Sequence, residues 1–185
     1  MMKKTILIYG LIAGIVVAIP MLFTANLCHS DSNFDYTKSM LVGYASMIIA
    51  FSLIFVGVRN YRNNYNDGII SFGKAFKVGL FIALVASSIY VIGWLIEYYC
   101  FIPDFAEKYS AHEMEQLRKK GASAAELAEE TKKMASFIQM YKNPLVVILM
   151  TYAEILPVGL LVTLISSLIL KRKDNKTQFS FDQNK

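Results

Sequence analysis

Two carboxylates draw attention because of the company they keep. Glu154 is the single charged side chain in Leu145–Leu170, LVVILMTYAEILPVGLLVTLISSLIL, and Pro157 follows three positions later. Glu97 ends the uncharged run Val78–Ile96, six residues before Pro103. A carboxylate held in hydrocarbon costs several kcal/mol unless it is protonated, paired or wetted, so an acid in such a stretch is a lead to ion or proton chemistry. Asn26, Tyr44 and Tyr90 lie at similar depth on the other apolar runs, and the five together form a candidate intramembrane polar site. In one reading they line a polar cavity in which the carboxyls exchange protons. In the milder one, Glu97 reaches the headgroups beside Tyr98 and Tyr99. Glu154 is then protonated and hydrogen-bonded to Tyr44, Thr151 or a carbonyl freed by Pro157.

The remaining reactive side chains are sparse. Cys28 closes the first apolar run and Cys100 the third, which puts both thiols at one membrane face, where a disulfide is one reading. His29 and His112 belong to the same side, but apart from the adjacent Cys28-His29 no Cys/His pair has metal-ligand spacing. There is no glycine-rich phosphate loop, no nucleophile elbow and no HExxH, so no enzyme, metal or cofactor is implied.

The elements that carry these residues are membrane spans. Of 185 residues, 55% are hydrophobic and 18% charged, and the mean hydropathy is +0.42, too apolar for an ordinary soluble domain. Four runs are long enough to cross a hydrocarbon core of about 30 Å at roughly 1.5 Å per residue. They cover about 5–27, 40–58, 78–102 and 145–170. The first is too long for a secretory signal, and Leu27 before Cys28 argues against lipoprotein processing. The predicted fold class is therefore all-α, an integral membrane four-helix bundle.

Four crossings put both termini on one side. That side holds eleven Lys/Arg (3, 4, 59, 62, 74, 77, 171, 172, 173, 176, 185) against three acids (67, 174, 182). The other holds eight Lys/Arg against nine acids, seven of the eight in one long loop that the positive-inside rule weighs lightly. Cytoplasmic termini in a bacterial inner membrane are the expectation, with 174–185 a disordered cytoplasmic tail. The net charge of +5 reads as topology signal and lipid contact, and no nucleic-acid partner is needed.

Between the third and fourth spans, 104–142 has soluble character. Asp104-x-x-Glu107 and Ser123-x-x-Glu126 have capping-box spacing, and Gly121 after Arg118-Lys119-Lys120 marks a helix end. An extracytoplasmic helical hairpin follows, with helices at about 104–120 and 123–141. Leu127, Met134, Ile138 and Tyr141 form a stripe on the second helix that faces the first, the membrane or a protein partner. Small residues recur every fourth position in the spans: Gly10/Gly14, Ser39/Gly43, Ser46/Ala50, the stripe Ala75–Gly79–Ala83–Ser87, and Gly159–Thr163–Ser167. Such spacing lets helices approach closely, within the chain or between copies in a homo-oligomer.

The segments LVGYASMIIAFSLIFVGVRNYR (41–62), ISFGKAFKVGL (70–80), PDFAEKY (103–109) and YKNPLVVILMTYAEILPVGLLVTLISSLILKRK (141–173) resemble a bacterial family of small membrane proteins. That family is catalogued as a domain of unknown function, series number 4199, seen mainly in the Bacteroidota. The resemblance implies a four-helix inner-membrane protein and supplies no activity, ligand or functional residue. The expected function is that of a non-enzymatic structural or accessory envelope component in contact with the lipid bilayer. The alternative is a small transporter or proton-coupled permease component using Glu97 and Glu154.

Overall fold

Among the described residues of the computed structural model six helices follow one another: α1 Met2–Ser30, α2 Tyr36–Tyr65, α3 Phe72–Cys100, α4 Phe105–Lys119, α5 Ala124–Tyr141 and α6 Pro144–Leu170. Described are residues 2–30 and 36–172, without the side chains of 24–30, 36 and 37, so the tail 174–185 lies outside the described residues. Four stretches have the length and composition of spans, Met2–Phe23, Lys38–Tyr65, Phe72–Cys100 and Pro144–Leu170. Only 33% of each of the first three apolar windows, and 22% of the fourth, is buried inside protein. The uncovered remainder is apolar too, including Leu7, Ile15, Ile19, Leu149, Leu161 and Ile169, and requires lipid as its solvent.

Three helices run further than their uncharged stretches, α1 beginning at Met2 with Lys3 and Lys4 already helical. α2 continues past Val58 through Arg59 and Arg62 to Tyr65, and α3 begins at Phe72 with Lys74 and Lys77 already helical. Lys and Arg are good helix formers with long stems that reach water, so a charge ends the apolar run without ending the helix. The chain turns where local chemistry makes it turn. Asp67 and Gly68 take left-handed φ of 49° and 75°, and the Ser71 side chain caps α3 by accepting from the Lys74 N–H at 3.4 Å. Ile70 then forms a single antiparallel bridge with Arg172, while Arg62 Nη1 donates to the Leu170 carbonyl at 3.3 Å. A cation thus meets the negative end of α6, and the α2–α3 turn is tied to the end of the last span. The ends near residues 2 and 172 therefore share one face of the bundle, with the α4–α5 hairpin at the other.

In cross-section α1 packs on α2 and α3, and α6 packs on the same two from the other side. Close approach follows the small-residue stripes. Ala75, Gly79, Ala83 and Ser87 are all buried on α3, as are Gly159, Thr163 and Ser167 on α6. A Cβ on Gly79 would stand 2.8 Å from Thr163 Cγ2, and one on Gly159 would stand 3.1 Å from Ala83 Cβ. Gly10 and Gly14 press on Val85 and Ile89 of α3, so this GxxxG works within the chain. Near mid-span the Ser88 and Tyr152 hydroxyls meet at 2.8 Å. Ser88 also donates to the Leu84 carbonyl, which leaves Tyr152 as donor of the cross-helix bond.

The hairpin agrees with its spacing at one end and departs from it at the other. Ser123 and Glu126 form a complete capping box, and Gly121 takes φ 77° after α4. Asp104 makes no cap bond. Its ψ of 14° is not extended, and its carboxylate pairs with Lys108 at 3.0 Å instead. Along the second-helix stripe Leu127, Met134 and Ile138 are half-buried and Tyr141 is buried, and the neighbouring Thr131 hydroxyl approaches Met114 Sδ of α4. The Ser123 N–H and hydroxyl hold the Glu126 carboxyl below the usual carboxylate range. A depressed folded pKa stabilises above the unfolded value and is lost as pH falls through the folded one, so this cap weakens only in acid. Ser123→Ala is expected to cost the hairpin about 1 kcal/mol at neutral pH, read as faster amide exchange at residues 124–127.

Candidate functional site

A cavity of about 640 Å³ opens between the spans and the hairpin, and all six helices contribute to its wall. Helical spacing explains which side chains arrive there, because residues three or four apart share a face. α3 supplies Tyr90 and Trp94; α4 supplies Phe105, Tyr109 and Glu113; α5 supplies Phe137 and Tyr141; and α6 supplies Met150, Thr151 and Glu154. α2 adds Ser39, Gly43 and Ser46, whose small side chains leave the space open, and nothing lies within 4 Å of a Cβ built on Gly43. Val17 and Met21 of α1 close the remaining side.

The aromatic wall is a connected set. The Trp94 and Phe105 rings meet edge to face at 4.9 Å and 85°, as do Tyr98 and Tyr141 at 5.4 Å and 75°, and Phe137 and Tyr141 lie tilted at 4.5 Å and 46°. Tyr109 stacks on Phe105 at 5.9 Å and leans on Phe137 at 5.7 Å. Edge-to-face and offset contacts of this kind set the positive rim of one ring against the negative face of another. The Tyr98 hydroxyl donates to the Tyr141 carbonyl at 3.3 Å, which fixes the end of α5 to α3. Burial, then the nearby Glu154 charge, pushes the Tyr141 phenol up, and burial, then Glu113, does the same to Tyr109. Both phenols are therefore neutral throughout the physiological range, and Tyr109 hydrogen-bonds Glu113.

A family model described as protein of unknown function (DUF4199) matches residues 8–172. The chain belongs to that family. No curated protein and no solved structure matches it. What this DUF4199 chain does must therefore be argued from the cavity itself.

Of the five residues expected to form a polar site, Glu154 and Tyr90 share the cavity wall. Tyr44 is exposed at 43% and is not part of that wall. Glu97 is buried at 3% away from it, with its Oε2 unpartnered among the described residues. The side chains of Asn26 and Cys28 lie outside the described residues, and Cys100 is an exposed free thiol. The Thr151 hydroxyl donates to the Val147 carbonyl rather than to Glu154. Among the described residues no three His, Cys, Asp or Glu converge as a metal site would require. Sequence reasoning missed Trp94, Phe105, Tyr109, Glu113 and Phe137. Their signal was a fourfold spacing, Tyr90–Trp94–Tyr98, Phe105–Tyr109–Glu113 and Phe137–Tyr141, continuing across the boundary between span and hairpin.

Proposed function

We propose that this chain is a non-enzymatic accessory protein of a bacterial inner membrane, with cytoplasmic termini and the hairpin outside, that holds a small ligand between its spans and its hairpin. The observation that carries the reading is the cavity, whose volume falls in the range of about 300–1,000 Å³ typical of small-molecule sites. It combines an apolar wall with a few polar groups, as such sites do. The outer face of the hairpin supports a protein-partner reading less well. Its Lys119–Glu115 and Lys133–Glu129 pairs are solvated and give a protein partner little apolar purchase.

Transport is the weaker reading. A relay through Glu97 and Glu154 needs both on one route, and Glu97 lies off the cavity wall. Toward the termini the bundle is filled by Phe51, Ile54, Val58, Ile70 and Val78, all at 0% exposure.

Gly43→Leu tests the binding reading. The leucine grows into open space on the cavity wall and replaces a helical glycine, so the fold is expected to gain up to about 1 kcal/mol while the cavity is filled. Native mass spectrometry of the full chain released from membranes should show a small-molecule adduct on the wild type that is lost in Gly43→Leu. Identical adduct patterns for the two would sink the reading.

A further inference from the structure

The cavity has a sign. Among the described residues its wall carries two carboxylates, Glu113 from the hairpin and Glu154 from the last span, and no Lys or Arg. Six aromatic rings stand around them, those of Tyr90, Trp94, Phe105, Tyr109, Phe137 and Tyr141. Aromatic faces carry negative quadrupole potential, and a low-dielectric wall focuses the field of the acids within it. Trp94 and the tyrosines are the ring types that hold cations best. An anionic ligand would meet repulsion on every side, whereas a cation would meet the Glu154 carboxyl, which is exposed on the cavity wall.

The cation also has a kind. A hydrated metal ion gives up water only to several oxygen ligands at once, and among the described residues no cluster of three acidic, His or Cys side chains exists. Met40, Met150 and Val17 line the same space and offer soft apolar surface to a hydrocarbon body. We infer that the cavity binds an organic ammonium, with the charged head between Glu154, Glu113 and the aromatic rings and the apolar part against the methionines. This rests on the binding reading above and adds the chemical class. An ammonium of this kind has two sources, the amino headgroup of a bilayer lipid and a free lipophilic amine.

The test uses the full chain in lipid nanodiscs of phosphatidylglycerol. Trp94 is the sole tryptophan of the protein and lines the cavity, so its emission reports occupancy directly. Benzyltrimethylammonium is titrated beside its uncharged isostere neopentylbenzene, with binding measured by equilibrium dialysis and by Trp94 emission. Saturable binding of the cation is expected, about tenfold weaker for the isostere and for Glu154→Gln, and lost in Gly43→Leu. Discs containing phosphatidylethanolamine then separate the sources: competition assigns the lipid headgroup, and its absence a soluble amine. Equal binding of cation and isostere, or a Glu154→Gln/Glu113→Gln double variant that binds the cation as the wild type does, overturns the ammonium inference and leaves the binding reading standing. Failure of both probes also overturns it, and the adduct comparison with Gly43→Leu then decides the binding reading separately.

Discussion

Tyr141→Ala is expected to free the hairpin from the spans while leaving the spans packed. The Tyr141 ring is buried where α3, α4 and α5 meet, 5.4 Å from Tyr98, 6.0 Å from Phe105 and 4.5 Å from Phe137 between centroids. Val147 of α6 belongs to the same buried cluster, so four helices lose a shared contact when the ring goes. Truncating a buried aromatic to alanine costs about 3–5 kcal/mol, because the transfer energy is lost and a void is left behind. The loss is local, since the core that joins α1, α2, α3 and α6 is a separate cluster built on Phe51, Ile54, Val78 and Ile82. Hydrogen exchange in nanodiscs should show residues 105–140 losing protection with the spans unchanged. Tyr141→Phe keeps every ring contact and should exchange like the wild type. Equal protection in Tyr141→Ala and the wild type would mean that other contacts hold the hairpin.

The same cluster explains why the fold was legible in the sequence and the site was not. Uncharged runs, the Ser123 box and Gly121 are local signals, each fixed by a residue and its near neighbours, and each has its counterpart in a helix, turn or cap. Asp104 fails as a cap because its backbone is not extended and its carboxylate pairs with Lys108 instead, which spacing alone does not weigh. The cavity is a tertiary object. Glu154 and Tyr90 were visible as polar residues in apolar runs, but Tyr109, Glu113 and Phe137 belong to a stretch of soluble character and gain meaning only when the hairpin folds back over the spans. Glu97 shows the converse. Its depth matched Glu154 and it stands seven residues from Tyr90 on nearly the same face of α3, yet its side chain is buried off the cavity wall with no partner for Oε2 among the described residues.

Helix association in lipid lacks the hydrophobic term, so backbone proximity must supply the attraction, and a methyl group in the wrong place is felt at once. Gly14→Val is the sharpest case. A Cβ at Gly14 would lie 2.5 Å from Ile89 Cδ1 and 2.8 Å from Ile89 Cβ, and the second contact is close to the α3 backbone, where a rotamer change gives no relief. α1 must then separate from α3, which takes Gly10 away from Val85 and loosens the packing of Ala13 and Val17 as well. Overpacking of this kind costs roughly 1–3 kcal/mol where the core can adjust, and more when a backbone must move. The expected result is a clear loss of thermal stability in detergent, with no change in oligomeric state, because the motif faces α3 of its own chain. Gly43→Leu in the same assay should hold or gain stability, since its Cβ meets nothing. A Gly14→Val chain that stays as stable as the wild type but dissociates from a larger assembly would place the motif between copies and overturn the packing of α1 on α3 described above.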